Sequence, residues 1–483
     1  MEGPKTTQDA AGAPEEEEIE QGNKHAEVNQ DPESKAKVTD STGADISDKI
    51  NMSHLRLEDQ TWELIQVPKE ITSNLIAKGF KGPSRIQFQV KTLLNSNLKE
   101  GKTTDLVVQS QNGSGKTLSF LVPGLCMCTP DHAAPKGILA PQVIILADTK
   151  ELIYQIWKIA NLIKPDFVKI DYHVKDKEKT DGPGVGAAAH VFLTSHKSLA
   201  GMLKNKKVDL SQVKFFVLDE ADNILKDDEG AQSLNILIKN LPKTSIVGMF
   251  SATLPDKAIG MLGQHKRPYS KIVVENKSDL SLKSLTHYFV RCNRKQKLEF
   301  VSNFLNKVTQ GSVILFVNSK NFAQDFAVNL NKDNHKTQIL VGDMEMSDRT
   351  RILDQFKSGQ LKVLVTTNLL SRGIDARKIS LVVNVDMPYK YKSTDEKGQD
   401  RRDKLDAETY LHRVGRTGRF GDQGIAINLI EDDRAFHDLS LIEQSYGISM
   451  IEMQLNNFED VIRRNEQNTQ LNQKKREELE ENI

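Results

Sequence analysis

The sequence predicts an α/β fold of two similar domains, each a doubly wound parallel sheet with helices on both faces. Short apolar runs of strand length recur along the chain, separated by segments long enough for helices, and this alternation is typical of such sheets. At 483 residues the chain exceeds what one hydrophobic core serves. The series also restarts after a polar connector at 268–285, which indicates a second domain.

The first series follows a helical stretch at residues 61–100 that breaks near Gly82. Predicted strands in this series are Asp105–Gln109, Gln142–Ala147, His190–Thr194, Lys214–Asp219 and Ser245–Ser251. Those in the second series are His287–Cys292, Val313–Val317, Gln338–Val341, Lys362–Thr366, Leu381–Val385 and Ile425–Ile430. The charged insertion Lys390–Asp406 is predicted to be a surface loop, and Asn465–Ile483 a polar helix or a frayed tail.

The N-terminal segment is acidic, with a glutamate run from Glu15 to Glu18 and no aromatic residue, and such a segment is predicted to be disordered. The resulting division is an acidic tail at 1–58, a first domain at 59–275, a second at 276–464 and a C-terminal segment at 465–483. Lys plus Arg and Asp plus Glu both total 66, so the net charge indicates no particular partner.

Three cysteines, Cys126, Cys128 and Cys292, form neither a disulfide framework nor a metal-binding spacing, which favours a reducing compartment. We find no signal peptide and no apolar run of membrane length, so we expect a soluble intracellular chain without membrane insertion.

A glycine-rich stretch after the first predicted strand has the character of a phosphate cradle. Backbone amides around its glycines and the start of the next helix favour an anion, to which the lysine adds a charge. The strict motif begins with Gly where this chain has Ser, so an ordinary surface turn stays an alternative. The predicted ATP-binding residues are Ser110, Gln111, Asn112, Gly113, Ser114, Gly115, Lys116 and Thr117.

An apolar run ends in the carboxylates Asp219, Glu220 and Asp222, which a parallel strand would deliver to the same edge of the sheet. Asp219 and Thr117 are predicted to hold Mg²⁺, largely through water, and Glu220 to activate the attacking water. An acidic strand end without catalytic function is the alternative.

The second series has no phosphate loop of its own but carries three arginines among glycines at 412–421. We predict that Arg416 and Arg419 reach the γ-phosphate across a cleft, as arginine fingers do. After the strand that ends at Thr366, Thr367 is predicted to contact a phosphate backbone and Asp375 a ribose hydroxyl. ATP would thereby draw the two domains together around a shared ligand.

The motifs Asp219-Glu220-Ala221-Asp222, Ser251-Ala252-Thr253, Arg372-Gly373-Ile374-Asp375 and His412–Arg419 follow one another along the chain. With them the chain resembles the DEAD-box ATP-dependent RNA helicases over roughly residues 60–460. The resemblance implies two tandem RecA-like domains and an RNA-dependent ATPase that uses ATP and Mg²⁺ and binds single-stranded RNA or RNP. It also implies that the protein is a monomer with protein regulators of its cycle.

The resemblance assigns further residues. Gln87 looks like the family's adenine-reading glutamine, since one amide can both donate and accept. Trp62 stands where the family has a stacking aromatic, with an ordinary core aromatic as the alternative. Residues implied to couple ATP to domain closure are Ser251, Thr253, Asp222 and His412, and those implied to touch RNA are Thr149, Lys150, Thr194, Arg349 and Thr367.

Within the family, Asn368, the pair Asp222-Asn223 and the run at 408–412 look like the subgroup that acts in mRNA export, which implies a nuclear and cytoplasmic protein at the nuclear pore. A translation-initiation-type helicase is the nearest alternative. Departures from the family pattern fall on RNA-facing motifs, at Asp148, Lys150 and Lys197 and at 341–346. They predict weaker RNA binding, and they leave open an ATP-gated scaffold with little turnover. A DNA translocase is disfavoured, because nothing outside the two domains resembles a duplex-binding module.

Overall fold

Two α/β domains follow one another in the computed structural model of the chain. The structure describes residues 36–47, 60–110, 114–132, 137–175, 180–181, 189–226, 228–253, 256–274, 285–308, 311–368, 379–391, 402–418 and 423–481. Within these residues, no helix is both long enough and apolar enough to cross a bilayer.

Domain 1 is built on a sheet of order β1-β9-β2-β8-β7-β3-β6-β4-β5, parallel except for β1 and β5 at its two edges. Its elements are β1 (Ala36–Asp40), α1 (Lys69–Ala77), α2 (Arg85–Lys99), β2 (Asp105–Gln109), α3 (Lys116–Met127), β3 (Val143–Leu146), α4 (Lys150–Ile163), β4 (Ile170–Lys175), β5 (Thr180–Asp181), β6 (Val191–Thr194), α5 (His196–Lys204), β7 (Phe215–Asp219), α6 (Ala221–Ile224), α7 (Asp228–Lys239), β8 (Ile246–Ser251), α8 (Asp256–Gln264) and β9 (Tyr269–Val274).

Strand β7 shows why the apolar runs form this sheet. Successive side chains of a strand point to opposite faces, and here both faces are covered. Phe215 and Val217 belong to one buried cluster, whereas Phe216 and Leu218 belong to another. A strand buried on both faces must be apolar throughout, so its first polar residue, Asp219, marks the sheet edge where ligands bind.

Domain 2 repeats this design with an all-parallel sheet of order β12-β13-β11-β14-β17-β10-β18 and a separate β15-β16 ribbon. Its elements are β10 (Leu285–Arg291), α9 (Arg294–Lys307), β11 (Ser312–Phe316), α10 (Lys320–Lys332), β12 (Thr337–Leu340), α11 (Met346–Lys357), β13 (Val363–Thr366), β14 (Ile379–Asn384), β15 (Tyr389–Tyr391), β16 (Arg402–Leu405), α12 (Ala407–Val414), β17 (Gly424–Ile430), α13 (Asp433–Tyr446), β18 (Met450–Glu452) and α14 (Glu459–Glu481).

The predicted fold class and all eleven predicted strands are confirmed, with ends that shift by at most two residues. Three predictions of irregular structure are wrong. Part of the supposed acidic tail forms β1, which pairs antiparallel with β9, and β9 itself lies in the supposed connector. The supposed loop at 390–406 begins and ends in the paired strands β15 and β16. Of the two alternatives for the C-terminal segment, the helix is confirmed, as α14.

These errors share a physical cause. Strand β9 pairs with β1 on one side and with β2 on the other, and both partners lie more than 150 residues away in sequence. Such pairing leaves no strong local hydrophobic pattern, because strands near a sheet edge are only partly covered.

Candidate nucleotide site and domain interface

The predicted phosphate loop lies between β2 and α3, next to the end of β8. Ser110 is buried, and its amide donates to the carbonyl of Ser251 at 3.0 Å. Gly115 caps α3 with a φ of +93°, a conformation that side-chain-bearing residues rarely adopt. Lys116 Nζ donates to the Ser110 carbonyl at 2.5 Å, so the lysine bends back over the loop. The predicted ligands Gln111, Asn112 and Gly113 lie outside the described residues.

Gln87 lies against this loop. Its Nε2 donates to the Gly115 carbonyl at 3.0 Å, and its Oε1 accepts from the Ser84 amide at 2.8 Å. The Ser84 hydroxyl in turn donates to the carbonyl of Ser114 at 2.9 Å. Both ends of the Gln87 amide therefore stabilise the phosphate loop, and a contact with adenine stays a prediction.

Trp62 is a core residue, which favours the core alternative, and its stacking on adenine stays a prediction. The ring is 1% exposed within the domain 1 core, and Nε1 donates to the Phe80 carbonyl at 2.9 Å. Burying a large aromatic side chain stabilises a domain by about 1.5–3 kcal/mol. This explains why the core alternative prevails here.

The acidic end of β7 faces the phosphate loop. Burial, and after it the neighbouring Glu220 carboxylate, raises the pKa of Asp219, and the Lys116 ammonium opposes that rise. Asp219 Oδ1 also accepts from the Glu220 amide at 3.0 Å. Glu220 is buried and has a φ of +51°, a strained backbone conformation of the kind often found at functional sites. Acidic oxygens and a lysine cation thus converge at one sheet edge.

Asp222 connects this edge to domain 2. Its Oδ2 accepts from the Thr253 hydroxyl at 2.9 Å and lies 3.7 Å from His412 Nε2 on α12. His412 also lies 3.8 Å from Glu408, one turn earlier on the same helix. Ser251 is fully buried and accepts from the Thr253 amide at 3.2 Å. The four residues implied to couple ATP to closure are therefore joined in one chain of contacts that crosses between the domains.

Helix α12 ends at Val414, and Arg416 lies in the turn that follows it. Arg416 is buried, and its Nε donates to the His412 carbonyl at 3.0 Å, which fixes it to the turn that contacts domain 1. Arg419 and Asp375 lie outside the described residues. The finger role of Arg416 and Arg419 stays a prediction.

Arg413 is a buried residue to which the sequence analysis gave no role. Its guanidinium donates to the side-chain oxygens of Asn318, Asn368 and Asn384 and to the Asp386 carbonyl. It ties α12 to the ends of β11, β13 and β14. The position of Arg413 in the arginine-rich run could have indicated a function. Its three asparagine partners could not be recognised, because they lie far apart in the sequence.

Arg349 pairs with Glu151 across the domain interface, and both side chains are 2% exposed. In this arrangement domain 1 covers the guanidinium of Arg349, and the contact of Arg349 with RNA stays a prediction. Burial raises the pKa of Glu151, and the Arg349 charge opposes the rise. The glutamate directly follows Lys150, one of the predicted RNA contacts, but only the fold reveals its partner.

The other predicted RNA contacts differ in accessibility. Thr149 caps α4, Lys150 begins that helix, and Thr367 follows β13; all three are half-buried at strand ends and stay predictions. Thr194 is fully buried, and its hydroxyl donates to the His173 carbonyl at 2.8 Å, while its contact with RNA stays a prediction. The Asp148 carboxylate accepts a hydrogen bond from the Asn223 side chain, which reduces the repulsion it would exert on a phosphate.

This arrangement defines a class of protein. One α/β domain supplies a phosphate loop and an acidic strand end, while a second domain without such a loop contributes a basic helix to the same interface. Enzymes of this design hydrolyse nucleoside triphosphates and convert hydrolysis into movement of the two domains.

Comparisons with known proteins assign the family. The family model for the DEAD/DEAH box helicase matches residues 85–262, and that for the helicase conserved C-terminal domain matches residues 296–421. The chain is 33% identical to the ATP-dependent RNA helicase dbp-5 of Neurospora crassa over 408 residues, covering 84% of this chain and 80% of the relative. It is 32% identical to DBP5 of Saccharomyces cerevisiae over 413 residues, covering 83% and 79%. The chain belongs to the DEAD-box ATP-dependent RNA helicases.

Two solved structures of S. cerevisiae Dbp5 resemble the whole fold. The form bound to RNA and ADP BeF3 has a TM-score of 0.72 at 28% identity, over 84% of this chain and 99% of that one. A variant bound to Gle1 and IP6 has a TM-score of 0.62 at 30% identity, over 84% and 97%. The arrangement of the domains is thus more similar to the RNA-bound form.

Proposed function

We propose that the chain is an RNA-dependent ATPase that clamps single-stranded RNA between its domains in the ATP state and releases it on hydrolysis. The observation that carries the proposal is the contact of Asp222 with Thr253 on one side and with His412 on the other. A change at the phosphates thereby reaches domain 2 through three side chains. The greater similarity to the Dbp5 form bound to RNA and ADP BeF3 supports the same reading.

Each residue at the nucleotide edge has a role in this proposal. Lys116 and the loop amides bind the phosphates, and Glu220 orients the attacking water and accepts its proton. Arg416 and Arg419 stabilise the charge that develops on the γ-phosphate. Asp375 binds the ribose, and Gln87 reads the adenine once it is released from Gly115.

Mg²⁺ fits the donors at this edge. Asp219 and Thr117 offer a carboxylate and a hydroxyl, the hard oxygen ligands that this cation prefers. Burial, and after it the Glu220 carboxylate, raises the pKa of Asp219, and both effects favour a cation beside this carboxylate. When bound, the cation would neutralise part of the phosphate charge.

RNA recognition is proposed for Thr149, Lys150 and Thr367, which remain accessible at strand ends of the two domains. Backbone contacts of this kind distinguish little between sequences. Because Thr194 is buried and Asp148 adds a negative charge, we expect weaker RNA binding than in relatives that have the usual motifs. RNA titrations at several salt concentrations would contradict this if affinity and salt slope equalled those of a typical relative.

We further propose a role in mRNA export, with the protein acting in the nucleus and cytoplasm at the nuclear pore. Supporting it are the Dbp5 relatives, one of which has been solved with Nup159, Gle1, IP6 and ADP. Regulators of this kind would set the ATPase cycle.

RNA-stimulated phosphate release tests the enzymatic proposal directly. We expect stimulation by RNA in the wild type and its loss, by roughly 10²–10⁴-fold, in Glu220→Gln, which keeps the shape of the side chain but removes the base. The second candidate, an ATP-gated scaffold, is favoured by the burial of Thr194 and Arg349. Unstimulated turnover in the wild type would support the scaffold and contradict the enzyme.

A further inference from the structure

A second polar link crosses the domain interface about one turn beyond the acidic edge. Lys226 follows α6 in domain 1, and its ammonium donates to the carboxylate of Asp406 in domain 2. The Asp406 side chain is 5% exposed and that of Lys226 is 32% exposed. The pair is therefore largely shielded from water, where a charged hydrogen bond is stronger than at an open surface.

Asp406 has a second task, because it begins the arginine-bearing helix. It is the N-cap of α12, where its Oδ1 accepts from the Thr409 amide at 3.1 Å and its Oδ2 accepts from the Thr409 hydroxyl at 2.8 Å. The carboxylate that Lys226 holds is thus the one that fixes the start of α12. Restraint at this point reaches His412 through a helix of eight residues, and it reaches Arg416 through the hydrogen bond from Arg416 Nε to the His412 carbonyl.

Electrostatics favours the same reading. Burial alone would raise the pKa of Asp406, but the hydrogen bond and charge of Lys226, with the bonds from Thr409, lower it. The carboxylate is therefore charged in the contact at neutral pH. Its negative charge also lies at the N-terminus of α12, where the helix dipole stabilises it.

Lys226 belongs to a short segment that already contacts the other working parts. Within five residues, Asp222 contacts Thr253 and His412, Asn223 contacts Asp148 beside the predicted RNA motif, and Lys226 contacts Asp406. A movement of the acidic edge is therefore transmitted to α12 at both ends of the helix.

We propose that Lys226 is a positioning residue for the ATPase reaction, which holds the start of α12 against domain 1 when the domains close. The inference rests on the proposed function, since it requires a closed state that binds RNA. Lys226 touches neither nucleotide nor RNA in this scheme; it acts by setting the orientation of Arg416 and His412.

The test measures RNA affinity with and without a non-hydrolysable ATP analogue in Lys226→Gln and Lys226→Arg. In Lys226→Gln we expect about tenfold weaker RNA binding with the analogue, the loss of one charged hydrogen bond. Binding without nucleotide and the thermal unfolding midpoint should not change. Lys226→Arg should recover most of the affinity, because its charge reaches the same carboxylate. Lys102→Gln, which breaks an exposed pair with Glu100 inside domain 1, is the matched control and should behave as wild type.

A double-mutant cycle assigns the effect to the pair. Asp406→Asn keeps an oxygen that can cap α12 but loses the charge, so adding it to Lys226→Gln should cost little more than either change alone. Additive losses, or unchanged affinity in Lys226→Gln, would overturn the proposal while the clamp stands. If the analogue fails to strengthen RNA binding even in the wild type, the clamp itself is wrong, and the positioning role is wrong with it.

Discussion

The two domains carry a lysine on the helix that follows corresponding strands, yet they use it in opposite ways. In domain 1, β2 leads through Gly115 to a half-buried Lys116 beside the phosphate loop. In domain 2, β10 leads to Lys297, which is 2% exposed and pairs with Asp386 at 2.8 Å and Glu431 at 2.6 Å. The two strands have equivalent places in their sheets. Next to β2 lie β8, β7 and β3 in that order, and next to β10 lie β17, β14 and β11.

This difference explains why two domains of the same fold need not both bind phosphate. In domain 2 two protein carboxylates already occupy the position next to the lysine, so a phosphate there would be repelled. Domain 1 leaves its lysine next to glycine backbone, where an anion can be accommodated. The second copy contributes instead through α12, on its interface with the first.

The largest effect is expected from Arg416→Ala. Without its positive charge the RNA-stimulated kcat should fall by roughly 10³-fold or more, while the KM for ATP changes little. Steady-state phosphate release measures both constants. Arg463→Ala, at an exposed site on α14, should leave them unaltered. A normal rate in Arg416→Ala would show that domain 2 does not contribute this arginine to ATP hydrolysis.

Replacing each lysine by methionine separates the two domains most clearly. Lys297→Met leaves two carboxylates without their buried cation and should destabilise the protein by about 3–5 kcal/mol. Lys116→Met should abolish ATP binding with little change in unfolding temperature. Thermal unfolding and nucleotide titration of both variants make the comparison. A stable Lys297→Met variant would show that the buried cluster is not a structural element.

At the interface, Arg349→Met should weaken nucleotide-dependent RNA binding by roughly 10²-fold. Closing the domains would then bury the Glu151 carboxylate without a partner, and burial already raises its pKa. This loss is smaller than the full cost of an unpaired buried charge, because water solvates both groups in the open state. Glu151→Gln combined with Arg349→Met should recover part of the affinity. An unrecovered loss would instead assign Arg349 to direct RNA contact, as the sequence first suggested.

The smallest effect is expected far from the interface, where α14 is fixed to domain 2. Hydrogen bonds from Tyr288, Arg463 and Arg464 lower the pKa of Asp460 to about 2. A carboxyl with a depressed folded pKa stabilises above its ordinary value near 4, and the stabilisation is lost as pH falls towards 2. Because the site is open to solvent, Asp460→Asn should cost only about 0.5 kcal/mol at pH 7. Denaturant unfolding should show a smaller difference in free energy of unfolding between the wild type and Asp460→Asn at pH 3 than at pH 7. An equal difference at both pH values would contradict this prediction.

The sequence predicts the parts of this molecule whose causes are local. The phosphate loop and the acidic end of β7 follow directly from glycines and carboxylates beside buried strands. The burial of Trp62, Thr194 and Arg349 could not be predicted from the sequence, because it depends on which elements cover them. The pairs Lys226–Asp406 and Glu151–Arg349 join residues about 180 and 200 positions apart, and no periodicity connects them. Resemblance to a family motif indicates the usual role of a residue. The helices and strands packed against that residue determine whether its side chain is accessible for the role in this chain.

The central claim is that both domains contribute residues to one nucleotide-binding site. Energy transfer between two dyes on the same molecule tests it most directly. Dyes on cysteines introduced at the exposed positions Leu98 and Gln470 would report the separation of the domains. The native Cys126, Cys128 and Cys292 should react slowly, because burial raises their pKa to about 11, 12 and 11. We predict a single short distance when an ATP analogue and RNA are both present, and its loss in Arg416→Ala. A distance that ignores the nucleotide would contradict the account.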